Sequence, residues 1–173
     1  MPQERIRESI EAARGYLSEH PEEARAHDLP ATAVLEEGLR CRVEGPAGTA
    51  IVTDMPAAVG GMASAPTPGW LARAALASCD ATVLAMRAAE LGIAIERIEV
   101  TVESESDDRG LLGVAEAPAG PLSVRVRARL VGGSVDDDAV RALRSWLEDH
   151  SPVGGVYRHG VPTTLELETV AVP

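Results

Sequence analysis

The stretch PTPGWLARAALASCDATVLAMRAAELG, Pro66 to Gly92, decides how the rest of the chain is read. From Gly69 to Leu91 it is rich in Ala and Leu, the residues that lose least on entering a helix. Pro68 stands where a first helical turn tolerates it, and Gly92 supplies the stop. Leu71, Ala75, Cys79, Val83 and Met86 fall close to one stripe, which puts Cys79 on an apolar face. So much alanine leaves little side-chain bulk, and another helix can pack near this one's backbone.

Upstream of this helix, Asp54 to Pro68 is a long loop of Pro, Gly and small residues, and a long loop in a compact domain is often functional. Before it, Leu39, Cys41 and Val43 alternate with Arg40, Arg42 and Glu44, a strand with one buried face. Gly45-Pro46-Ala47-Gly48 turns that strand into a second, Thr49 to Thr53, giving a hairpin. At the start of the chain, Ile6, Ile10, Ala13 and Leu17 recur at helical spacing until Pro21. The polar stretch Glu22 to Pro30 then reads as a linker. The expected organisation is an appended N-terminal helix and linker, residues 1–30, and a core domain, residues 31–173.

Downstream, Ile95 to Ser104 alternates as a strand and Asp107 to Gly120 is an acidic loop. Leu122, Val124, Val126, Ala128 and Leu130 alternate strictly with Ser123, Arg125, Arg127 and Arg129, which makes a second strand. Asp136 to His150 is a helix with Asp residues in its first turn, where the helix dipole favours them. Ser151 to Gly160 reads as a loop and Thr163 to Val170 as a final strand. Mixed helices and hairpins make this an α+β chain, with helices on one face of an antiparallel-containing sheet.

Composition bounds the function. A chain of 173 residues with 45% apolar content is long enough and apolar enough for one packed domain. A net charge of -11 repels phosphate backbones and anionic lipid, so nucleic acid and membrane surfaces are not expected partners. No apolar run approaches the ~20 residues of a spanning helix. The charged stretch Met1 to Arg14 has no signal-peptide centre, so a cytoplasmic location is expected. There Cys41 and Cys79 are expected as thiols. With the four His they show no zinc-ligand spacing, and neither a metal nor a cofactor is expected.

Cys79 has two readings. A free Cys is often only a small buried hydrophobe. A reactive one needs a cation or dipole to stabilise its thiolate, and a mid-helix position gains little from the N-terminal dipole. Cys41 points inward with Leu39 and Val43, as a buried thiol or as a partner for Cys79, which requires Cα atoms within about 7 Å. His150 beside Ser151 lacks a nucleophile-elbow sequence, and Asp107-Asp108 reads better as an acidic turn than as a metal site.

Several segments together resemble the OsmC/Ohr superfamily. They are Gly60-Gly61, Pro66-Thr67-Pro68-Gly69-Trp70-Leu71, Ala74 to Cys79, Gly92-Ile93, Ser104 to Gly113 (SESDDRGLLG) and Ser151-Pro152-Val153, within a match from about Leu35 to the C-terminus. The resemblance implies an intertwined homodimer with two central helices packed against sheets. It implies a Cys-based reduction of organic hydroperoxides, with Cys79 at the position of the attacking thiol. The family's second thiol, in a Cys-Pro-Val segment, corresponds to Ser151. A carboxylate that usually follows the proline at the start of the central helix is replaced by Gly69, and the loop from Asp54 to Pro68 holds no arginine. Arg40, Arg42 and Arg109 are the candidates to stabilise a thiolate, against the plainer reading of solvated surface charges.

Two functions stay open at this point. One is a one-Cys peroxide reductase, served by an external thiol. The other is a non-catalytic dimer whose Ala-lined helices and Pro/Gly loop hold a small apolar ligand near Cys79.

Overall fold

The chain opens with α1 (Pro2–Glu19), which ends in a short helical turn at Pro21–Ala24 and a stretch without regular structure. The computed structural model describes residues 2–132 and 135–170; the end of the expected core domain, 171–173, lies outside them. Strands β1 (Thr32–Glu37), β2 (Arg40–Glu44) and β3 (Ala50–Thr53) form an antiparallel sheet in that order. The central helix α2 (Pro68–Glu90) follows, then β4 (Arg97–Glu105), a single turn α3 (Asp108–Leu111) and β5 (Ser123–Val131). Helices α4 (Asp137–His150) and α5 (Pro152–His159) complete the regular structure.

Local chemistry sets the ends of the central helix. Thr67 Oγ1 accepts a hydrogen bond from Trp70 N at 3.2 Å, and Pro68 takes the first helical position. Gly92, at φ +67°, leaves the helix in the left-handed conformation that glycine adopts without strain. β4 and β5 pair in continuous antiparallel register from Arg97↔Val131 to Glu105↔Ser123. The α2 helix packs on β4, and the core forms from Leu84 and Ala88 of α2 with Leu143 of α4. Ile93, Ile95, Ile98, Val100, Leu130 and Leu147 close around it.

α1 docks on α2. Ile6 and Ile10 are half-buried, Arg14 Nη2 donates to Glu90 Oε1 at 2.5 Å, and Gln3 Nε2 donates to the Ile93 carbonyl at 3.0 Å. Glu90 also receives Arg87, whose guanidinium lies 4.2 Å from the Trp146 ring. Helices α1, α2 and α4 are thus held together at the C-terminal end of α2.

The structure differs from the sequence reading at several places, among them the helical turn α3 inside the expected loop Asp107 to Gly120. Residues 32–37 are a separate strand, joined to β2 by a turn at Gly38, whose φ of +56° suits glycine. Ser151 to Gly160 contains the helix α5 rather than a loop throughout. The expected strand Thr163 to Val170 has no strand pairing. The buried stripe of α2 is Leu76, Asp80, Leu84 and Ala88, one position further round the helix than expected. Ala75 and Met86 are exposed, and Cys79 lies half-buried at the border of the stripe.

Candidate functional site

Cys79 sits midway along α2, on the side that meets the junction of α4 and α5. That junction is Ser151, which ends one helix and caps the next: its Oγ accepts from Gly154 N at 3.0 Å. Cys79 Sγ lies 3.7 Å from Ser151 Oγ. Ser151 is 4% exposed and Asp80 2% exposed, and Ser151 Oγ donates to Asp80 Oδ1 at 2.5 Å. Three side chains therefore form one hydrogen-bonded cluster, Cys79–Ser151–Asp80.

Asp80 was missed in the sequence, although a signal was present. It stands four residues after Leu76 and four before Leu84, a charge at core spacing in an apolar stripe. A buried carboxylate needs a donor, and Ser151 is that donor. Gly154 is required beside it: a Cβ there would come within 2.7 Å of both Ser151 Oγ and an Arg158 guanidinium nitrogen. Arg158, at the end of α5, is thus the cation next to the cluster. It donates to the Leu147 carbonyl at 3.5 Å. A cavity of about 310 Å³ lined by Leu76, Leu122, Gly154, Tyr157 and Arg158 opens on this side.

The other expected site residues lie apart from the sulfur. Arg40 donates to Glu36 at 3.2 Å and to Ser64 Oγ at 2.9 Å. Arg42 pairs with Glu44 at 3.4 Å. Arg109 forks onto Asp107, at 2.9 Å and 2.5 Å, and this pair holds the Asp107 carboxyl below its ordinary range and raises the Arg109 guanidinium. None of the three arginines bonds to Cys79 Sγ; among the described residues its polar partner is Ser151. Cys41 lies in β2 opposite Leu35 and Thr53, and β2 forms its sheet with β1 and β3 rather than packing on α2.

The loop before α2 is built around a second buried carboxylate. Asp54, 1% exposed, accepts from Met55 N (2.7 Å), Met62 N (3.2 Å), Ser64 N (2.9 Å) and Ser64 Oγ (2.8 Å). The Ser64 backbone and hydroxyl bonds, in that order, hold its carboxyl below the usual carboxylate range. Arg40, reaching Ser64, ties this loop to β2. Gly61 belongs to the same turn, since a Cβ there would overlap the Met55 carbonyl. Among the described residues no group of three or more His, Cys, Asp or Glu could hold a metal ion, and no helix is long and apolar enough to cross a membrane.

A long helix carrying Cys79, a capped Ser-Pro-Val turn laid over it and an antiparallel sheet behind are the frame of one protein class. The family model described as OsmC-like protein matches residues 61–166, and the chain belongs to that family. The solved structures agree on the fold. An OsmC-like protein from Mycoplasma pneumoniae superposes with a TM-score of 0.66 at 14% identity, covering 78% of this chain and 90% of that one. An organic hydroperoxide resistance protein OsmC from Legionella pneumophila gives 0.60 at 22%, covering 79% and 93%. The organic hydroperoxide resistance protein OhrB of Bacillus subtilis gives 0.51 at 23%, covering 82% and 98%. A search of curated proteins finds no match.

Proposed function

We propose that the protein is a thiol-dependent, one-Cys reductase of organic hydroperoxides in oxidative stress defence, with Cys79 as its nucleophile. The observation that carries this reading is the 3.7 Å approach of Cys79 Sγ to Ser151 Oγ. Cys79 and Ser151, which the resemblance matches to the family's two thiol positions, are in contact, and the second carries a hydroxyl. The hydroperoxide-resistance names of the structural relatives lend support at the level of the class.

The reaction follows from the residues present. The Cys79 thiolate attacks the O–O bond; an S–O bond forms, the O–O bond breaks, and the alkoxide takes a proton and leaves as an alcohol. Cys79 is then a sulfenic acid. Ser151 cannot form a disulfide with it, so an external thiol displaces water to give a mixed disulfide. A second external thiol then releases Cys79 and leaves as the oxidised disulfide.

A second reading has its own observation. Cys79 bonds to a hydroxyl that is itself bound to a carboxylate, and among the described residues no guanidinium bonds to the sulfur. That favours a non-catalytic dimer that binds a small apolar ligand beside Cys79. Both readings rest on a homodimer, supported by the uncovered three-stranded sheet, and both take residues 31–173 as the domain and 1–30 as its appendage. Consumption of an organic hydroperoxide with an external dithiol separates them. Cys79→Ser should abolish it and Cys41→Ser should leave most of it. Equal turnover in wild type and Cys79→Ser would remove the enzyme and leave the binding module.

A further inference from the structure

The Cys79–Ser151–Asp80 cluster can be read for its protons. An ionised carboxylate only accepts hydrogen bonds, so the 2.5 Å contact between Asp80 Oδ1 and Ser151 Oγ takes the single hydroxyl proton of Ser151. One lone pair of Ser151 Oγ receives Gly154 N. What Ser151 presents to Cys79 is its remaining lone pair, which accepts an S–H and repels a thiolate. The cluster's one hydroxyl proton is thus spent on the carboxylate, and a second negative charge on the sulfur would face an oxygen lone pair.

Arg158 stands close to the cluster, but among the described residues no direct ion pair neutralises Asp80. It reaches Gly154 and Ser151 from α5 and donates to the Leu147 carbonyl. From α4, His150 is stacked on Trp146 at 3.6 Å, and its Nδ1 meets the Trp146 carbonyl, so it is turned to its own helix. On the side of β4, Arg73 donates to Ser104 Oγ at 3.1 Å, and Val100 and Val102 line the adjoining face. On the side of α1, Arg14 is bound to Glu90, eleven residues beyond Cys79.

We infer that Asp80 is a positioning residue that governs the reactivity of Cys79: through Ser151 it keeps the sulfur protonated as a hydrogen-bond donor, so that the site rests as a guarded thiol. The inference rests on Cys79 being the reactive group, and it deepens that reading by naming what restrains it. Replacing Asp80 by an uncharged residue removes the competing charge and weakens the hold on the Ser151 proton. A unit charge one hydroxyl away from the sulfur, at an effective dielectric of about 20, interacts strongly enough for an effect of more than tenfold.

The test is the rate of alkylation of Cys79 by iodoacetamide from pH 5 to 9, in full-length Cys41→Ser protein so that one thiol is read. Asp80→Asn should react at least tenfold faster at pH 7, with the pH profile displaced to lower pH. Asp80→Ser, which is smaller and cannot overpack the site, serves where the asparagine variant fails to fold. An unchanged rate, or a slower one that makes Asp80 a base for Cys79, overturns the inference. The readout is separate from turnover. Faster alkylation without hydroperoxide consumption keeps this inference and removes the enzyme; consumption with unchanged alkylation does the reverse.

Discussion

At the scale of single residues, a hydroxyl rather than a thiol beside the proposed nucleophile Cys79 has a chemical consequence. Oxidised Cys79 has a hydroxyl at 3.7 Å where a disulfide partner would stand. Its sulfenic acid should therefore persist, and excess peroxide should carry it to sulfinic acid. Intact mass after mild peroxide is expected to show added oxygen in the wild type. In Ser151→Cys it should show the loss of two hydrogens, since the sulfur–oxygen contact needs only modest closure to reach the roughly 2.05 Å of a disulfide. A Cys41–Cys79 disulfide in the wild type would defeat this and make Cys41 the resolver. The positions of Cys79 and Ser151 were legible because each sits in a motif, after Ala-Leu-Ala-Ser and before Pro-Val. Asp80 and Asp54 were not. A charge read along a sequence is assigned to the surface, and only the fold reveals the donors that make its burial tolerable.

Among elements, the strands with strict alternation were the most legible, and β5 formed almost where the pattern of Leu122 to Val131 put it. Helix α5 was hidden by Gly154 and Gly155, residues that argue against a helix. Gly154 is there because Ser151 Oγ and Arg158 leave no room for a Cβ, and Ser151-Pro152 is itself a cap followed by a first-turn proline. The loop after β3 was legible only as a loop; what shapes it is Asp54. Because folding lowers the Asp54 pKa, the unfolded chain binds more protons in the acid range. Its stabilisation is fully present above the unfolded carboxylate value of roughly 3.9 and is lost as pH falls through the lower folded value. Asp54→Asn should therefore lower the melting temperature at pH 7. The gap from wild type should narrow as the pH is brought below 4. A gap that does not change with pH in calorimetric scans would show that the charge of Asp54 does not organise the loop.

For the whole molecule, the described residues leave large apolar side chains in water, which favours the homodimer proposed above. The β1–β3 sheet exposes Val34 and Leu35, and among the described residues no helix packs extensively on it. Beyond α5, Leu165 and Leu167 alternate with Thr164, Glu166 and Glu168, a strand pattern, yet they are 80% and 88% exposed and unpaired. The sequence predicts a strand here, yet among the described residues the segment pairs with no edge of either sheet. A partner copy that pairs with this segment and covers the first sheet resolves both observations, and each leucine so buried contributes about 1.5–3 kcal/mol. Sedimentation equilibrium at micromolar concentration should give a single species of twice the 18.1 kDa chain mass. Only monomer under those conditions would sink the dimer. Leu165→Asp with Leu167→Asp tests the segment itself. If these side chains stay in solvent, the double variant sediments like wild type; if they meet a second copy, two buried unpaired carboxylates oppose the contact and the protein shifts to monomer.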